Sequence, residues 1–176
     1  MLISYNHNSI DNNLVRYLVS SEQLEEAIST CSQVLAELGE PFPQVTNEAC
    51  YEGIVSVKTS LAKYSSDEIL GLEQCSDVNK LAAMEFLQCI LLATFNSSAD
   101  SRLGVLLVVK LIQISLEHGL CEASSFGFAL WGTMLVHGNM KDLDGGYFYG
   151  SVAIKLLEHL RADRFKARVY TMVSSL

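Results

Sequence analysis

Two stretches, one near each end of the chain, carry the same helix-turn-helix pattern, and this repetition limits what the chain can fold into. The first runs from Gln23 to Gly39 and the second from Gly145 to Leu157. Each sets a small residue on an amphipathic helix, with a second small or short apolar residue seven positions later: Ala27 with Val34, and Gly146 with Ala153. Seven residues is about two helical turns, so each pair lies on one face. Small residues on that face let a neighbouring helix come close, which is how arrays of stacked helix pairs are built.

The rest of the chain agrees with helix. The two prolines, Pro41 and Pro43, flank Phe42, and the other breaks fall at Gly, Ser, Asn or Asp. No run of alternating β-branched residues lies between turn signals, so no sheet is expected. The first predicted helix covers 21 to 38, with Ser20 as N-cap, Gln23 three residues on and Gly39 beyond its end. A second covers 46 to 63, with Ile54, Val57 and Leu61 as its apolar stripe. Ser65-Ser66-Asp67-Glu68 opens a short helix through Leu72. The helix over 77 to 95 is apolar on most sides and is expected to be central; Asn96-Ser97-Ser98 breaks it. Helices over 99 to 117 and 122 to 137 end in His118-Gly119 and His137-Gly138. Two more follow, over 143 to 160 and from Asp163 past Val173.

The expected organisation is an N-terminal segment, 1–19, partly disordered or the end of an earlier helix, and a helical-repeat domain over 20–176. The expected fold is all-α, with antiparallel helix pairs stacked as a segment of α-solenoid. The sequence stops in or just after its last helix, so the last apolar face is expected to be open, as in a piece of a longer array.

Hydrophobic residues make up 49% of the 176, against 18% charged, which supports a large core and argues against a disordered chain. A net charge of −8 argues against nucleic acid as a partner. The basic cluster Arg161, Arg164, Lys166 and Arg168, with Asp163 among them, reads as a solvated helix face. The most apolar segment, Leu103 to Leu116, contains Lys110 and Gln113 and is too short and too polar to span a bilayer. The first residues lack a basic region followed by a long apolar stretch, so no signal peptide is expected. The five cysteines are odd in number and unpatterned. They read as reduced core residues of a cytoplasmic protein.

Candidate chemistry is sparse. His118 and Cys121 are three apart, but no positive cluster surrounds Cys121 and Glu122 opposes a thiolate there. The histidines at 7, 118, 137 and 159 are too scattered for a metal site. Gly145-Gly146 with Gly150 has no preceding strand and no following Lys-Ser/Thr, so a phosphate loop is disfavoured. No cofactor is expected. Gly127, Gly132, Gly146 and Gly150, with Ala153, are better explained as helix-packing positions between the helices over 122–137 and 143–160. The aromatics Phe126, Phe128, Trp131, Tyr147, Phe148 and Tyr149 cannot all face one side of a helix. Core packing explains most of them; Trp131, Tyr147 and Tyr149 are candidates for a partner surface. Val169, Met172 and Val173 form the stripe expected at the open end, suited to self-association or to docking a next repeat.

The order Leu111-Ile112-Gln113-Ile114-Ser115-Leu116-Glu117-His118-Gly119, then Ser125 to Gly132, then Gly146 to Glu158 resembles the tetratricopeptide-like helical region of large multidomain signalling proteins. In that family the helical region follows a predicted ATPase of the AAA/STAND type, often with kinase or cyclase domains elsewhere in the chain. Ala27 to Pro43 resembles the family's "vLxxLGxxfP" stretch, and Ser66 to Leu72 its short linker helix. No GxxxxGK[ST] loop, kinase motif or phospho-acceptor histidine motif is present, so the resemblance implies a scaffold role alone. The expected function is a non-catalytic interaction module that binds a protein partner or a neighbouring domain. The alternatives are a regulatory segment of an ATPase or kinase whose catalytic domains lie outside this sequence, and a small-molecule sensor with an apolar pocket among the helices over 77–160.

Overall fold

The computed structural model describes residues 24–42, 44–95, 101–138 and 140–176. The 1–19 segment, the Ser20 cap with Gln23, and the Asn96–Ser98 break lie outside the described residues. Eight α-helices are present among those described: α1 Leu24–Glu37, α2 Asn47–Leu61, α3 Ser66–Leu70, α4 Val78–Phe95, α5 Ser101–His118, α6 Glu122–His137, α7 Leu143–His159 and α8 Lys166–Val173. A 3-10 turn, Asp163–Phe165, leads into α8. The described residues form no strand, and the fold is all-α.

Local chemistry sets the helix ends. Thr46 opens α2 by accepting the Ala49 N–H at 3.1 Å. Ser65 and Glu68 form a reciprocal capping box on α3, each side chain accepting the other's backbone N–H. Asp142 opens α7 by accepting the Gly145 N–H at 3.0 Å, and this bond is the main reason its carboxyl lies below the usual range. At the other ends, Gly39 and Gly119 take positive φ, 77° and 101°, and stop α1 and α5. The two His-Gly endings differ: Gly138 is extended, with φ −77° and ψ −174°.

Packing places α6 at the centre. It contacts α4, α5, α7 and α8, and every residue from Ala123 to Gly132 is buried. α4 and α5 pair, α1 packs on α4, α2 on α5, and α3 on α7. The side chain of Glu40, just past α1, reaches Lys80 in the first turn of α4, so α1 ends where α4 begins. Fully burying one Leu, Val or Phe contributes about 1.5–3 kcal/mol, so the sides of α6 covered by several helices carry much of the core's stabilisation.

The α6–α7 crossing is built on glycine. A Cβ on Gly132 would stand 2.9 Å from the Gly146 carbonyl oxygen and 3.2 Å from the Gly150 nitrogen. One on Gly146 would collide with Val136, and Ala153 further along α7 is fully buried. Two of the four glycines face elsewhere. Gly127 meets Leu111 of α5 at 3.0 Å, and Gly150 also meets Leu176 at 2.5 Å and Val173 at 3.5 Å.

The expected open end is corrected. α8 folds back onto α6 and α7, which buries Val169 completely and Met172 and Val173 partly. Phe165 is buried against Phe126 at 6.0 Å between ring centroids. Arg164 clamps the turn by a bidentate pair with Glu85 of α4 at 2.9 and 3.1 Å and a bond to Glu122 of α6 at 2.5 Å. Val169 is therefore unavailable to a next repeat.

Candidate functional site

The sequence-predicted partner residues separate into two groups. Trp131 is fully buried in the middle of α6 and cannot present a surface; its indole Nε1–H has no hydrogen-bond partner among the described residues. Tyr147, on the outer face of α7, is 60% exposed, with Phe148 beside it also exposed. Tyr149 is half-buried between them and the core, its ring 5.0 Å from Phe148 and 6.3 Å from Phe128.

Large apolar side chains are exposed on both α7 and α2. Leu143 lies one turn before Tyr147 on α7 and is 55% exposed. Lys58 of α2 pairs with Asp142, the N-cap of α7, at 3.3 Å. On α2, Tyr51 and Val55 are both exposed, Tyr51 at 71%. A cavity of about 410 Å³ lies among α2, α5 and α6, walled by Ile54 of α2, Val105 of α5, Leu130 and Met134 of α6, and Met140 of the connector that follows α6. Ser101, Thr133 and His137 add its polar edge, and His137 Nε2 bonds the Ser175 carbonyl at 2.8 Å. Large exposed apolar side chains and apolar hollows are both features that docking surfaces use.

A second, polar hollow of about 340 Å³ lies between α2 and α5, lined by Glu52, Ser56, Lys110 and Gln113 among others. Behind it is a buried charge centre. Glu40, 6% exposed, takes Lys80 on one oxygen and Lys110 at 2.5 Å on the other, with His118 Nε2 at 3.9 Å. Burial acts to raise the Glu40 carboxyl, but the bonds and charges of Lys110 and Lys80 outweigh it and hold the group below its ordinary value. The arrangement pins α1, α4 and α5 together. Sequence reading misses it because Glu40, Lys80 and Lys110 sit 30 or more positions apart on unremarkable polar faces.

The geometry offers little reaction chemistry. His118 faces Glu40 while the Cys121 sulfur lies 3.5 Å from Met84 Sδ, so the two do not act as a pair. Burial pushes the Cys121 thiol up, away from thiolate. Among the described residues, no three His, Cys, Asp or Glu side chains converge as a metal site, and no helix is long and apolar enough to cross a membrane. Comparison with protein families, with characterised proteins and with solved structures returns no match.

Proposed function

We propose that this chain is a non-catalytic interaction module, a stack of tetratricopeptide-like helix pairs that docks a protein partner or neighbouring domain. The carrying observation is the set of large exposed apolar side chains, Leu143 and Tyr147 on α7 and Tyr51 and Val55 on α2, in a protein that also holds an apolar cavity of about 410 Å³ among α2, α5 and α6. Exposed aromatics beside a concave apolar pocket supply the desolvated anchors on which partner binding energy concentrates. The resemblance to signalling proteins supports a place in signal transduction. The fold-back of α8 moves the docking face of this proposal from the chain's last helix to the α2–α7 side.

The test is a Leu143→Glu, Tyr147→Glu double variant of the tagged chain, expressed in its native cells and sized under gentle conditions. A complex that forms with the wild type and is lost in the variant supports the reading, provided both chains melt alike. A complex that survives the variant unchanged overturns it.

A second reading, a sensor for a small apolar molecule, is favoured by the same cavity, whose volume lies in the range of small-ligand pockets. It predicts that Leu130→Trp, which fills the hollow, abolishes ligand-induced thermal stabilisation by medium-chain fatty acids. The absence of any such stabilisation in the wild type rejects this reading and leaves the first intact.

A further inference from the structure

Two connectors that are distant in sequence are zipped together at one end of the helical stack. Residues 73–75 lie between α3 and α4, and residues 119–121 between α5 and α6. The Leu120 N–H donates to the Glu73 carbonyl at 2.8 Å and the Cys75 N–H donates to the Leu120 carbonyl at 2.8 Å, which makes a parallel bridge of Gln74 with Leu120. Gly119 permits the approach. Its φ is +101°, and a Cβ there would stand 2.6 Å from the Glu73 oxygen and 2.9 Å from the Cys75 nitrogen.

One residue beyond the bridged pair on each connector, Cys75 lies beside Cys121. Laterally paired backbones run about 4.7–4.9 Å apart, within the roughly 4.4–6.8 Å between Cα atoms that a disulfide spans. Both thiols are free, and each is turned to another neighbour: Cys75 Sγ to the Asp77 carbonyl at 3.8 Å, Cys121 Sγ to Met84 Sδ at 3.5 Å. The two thiols are close enough for Cys75 to act electrostatically on Cys121. Cys50 and Cys89 sit apart from this pair, on α2 and α4, with Cys50 Sγ 3.5 Å from the Arg102 carbonyl and Cys89 Sγ 3.1 Å from Gln88 Nε2.

We propose that Cys75 and Cys121 are a modification site, closed into a reversible intramolecular disulfide by a low-molecular-weight disulfide of the glutathione type. The thiolate of one cysteine attacks a sulfur of the small disulfide and expels a small thiolate, leaving a mixed disulfide. The second cysteine's thiolate attacks the protein sulfur of that mixed disulfide and expels the other small thiolate. The protein dithiol gives up two electrons and two protons, and the small disulfide becomes two thiols. The bond fastens the α3–α4 connector to the α5–α6 connector and closes a loop that contains α4 and α5. Burial pushes both thiols above their ordinary range, so closure is slow at neutral pH and quickens as pH rises.

The test uses the full reduced chain, incubated with oxidised glutathione at neutral and at mildly alkaline pH. It is then alkylated in denaturant and digested without reduction for peptide mass spectrometry. The expected result is loss of two of the five alkylatable thiols and a crosslinked Cys75–Cys121 peptide pair. The crosslink forms faster at the higher pH and is reversed by dithiothreitol. Cys75→Ser and Cys121→Ser, each checked for folding by circular dichroism, should give glutathione adducts with no crosslink. Five alkylated thiols after oxidant, glutathione adducts alone on the wild type, or a crosslink between any other pair overturns the proposal.

Discussion

The aromatic runs of α6 and α7 read alike in the sequence and end in opposite places. Phe126, Phe128 and Trp131 are all fully enclosed, because α6 has helices on nearly every side. Tyr147 and Phe148 face outward, because α7 is covered by α6, α8 and α3 and by little else. Aromatic density therefore marks two different things in one molecule: the packing centre on α6 and an exposed patch on α7, the patch proposed above for docking. What separates them is the number of neighbouring helices, which a local pattern does not encode.

Truncation should expose this difference most strongly. Trp131→Ala empties a fully enclosed site and should lower stability to chemical denaturation by about 3–5 kcal/mol. Tyr147→Ala, at an exposed position, should stay within about 0.5 kcal/mol of the wild type. Equal losses at the two positions would break the contrast between α6 and α7.

A smaller effect is expected at the charge centre on the far side of the α4–α5 pair. Glu40→Gln leaves Lys80 and Lys110 facing each other and should cost about 1.5–3 kcal/mol. The folded Glu40 carboxyl is held below its unfolded value, so its contribution is complete above the ordinary carboxylate range and is lost as pH falls through the folded value. Acid titration of stability should accordingly show a shallower loss in Glu40→Gln than in the wild type. An identical acid limb would mean that Glu40 is not stabilised by its lysines.

A loss slightly smaller than that at Glu40 tests the glycine crossing that joins the two aromatic helices. Gly132→Ala puts a methyl against the backbone of α7, which has no flexible side chain to yield, and should cost about 1–3 kcal/mol despite alanine's better helix propensity. Gly150→Ala meets the end of the Leu176 side chain, which can move, and should cost less. A higher melting temperature for Gly132→Ala would show that the helices stand further apart.

Helix positions were legible in the sequence because caps and periodicity are local. The Ser65–Glu68 box, Gly39, Gly119 and the Leu143 start of α7 fall where residue type alone places them. The direction in which α8 turns was not legible. Its apolar stripe, Val169 with Met172 and Val173, reads the same whether it meets a missing repeat or folds back, and the fold-back shows only in the burial of Phe165 and Val169 against α6, with Arg164 paired to Glu85 and Glu122. Of the candidate site, Tyr147 was visible as a surface aromatic. The hollow beside it was not, because Ile54, Val105, Met134 and Met140 come from four separate segments and are ordinary apolar residues taken singly.

The central claim is that the chain engages its partner through the α2–α7 face. A photo-crosslinking amino acid placed at Tyr147, and in a separate chain at the comparably exposed Tyr170 of α8, tests this directly in the native cell. The account predicts a discrete crosslinked band at 147 that is absent at 170 and is lost when Leu143→Glu is added. Crosslinks at 170 alone, or no crosslink at 147 under conditions where 170 reacts, would contradict it.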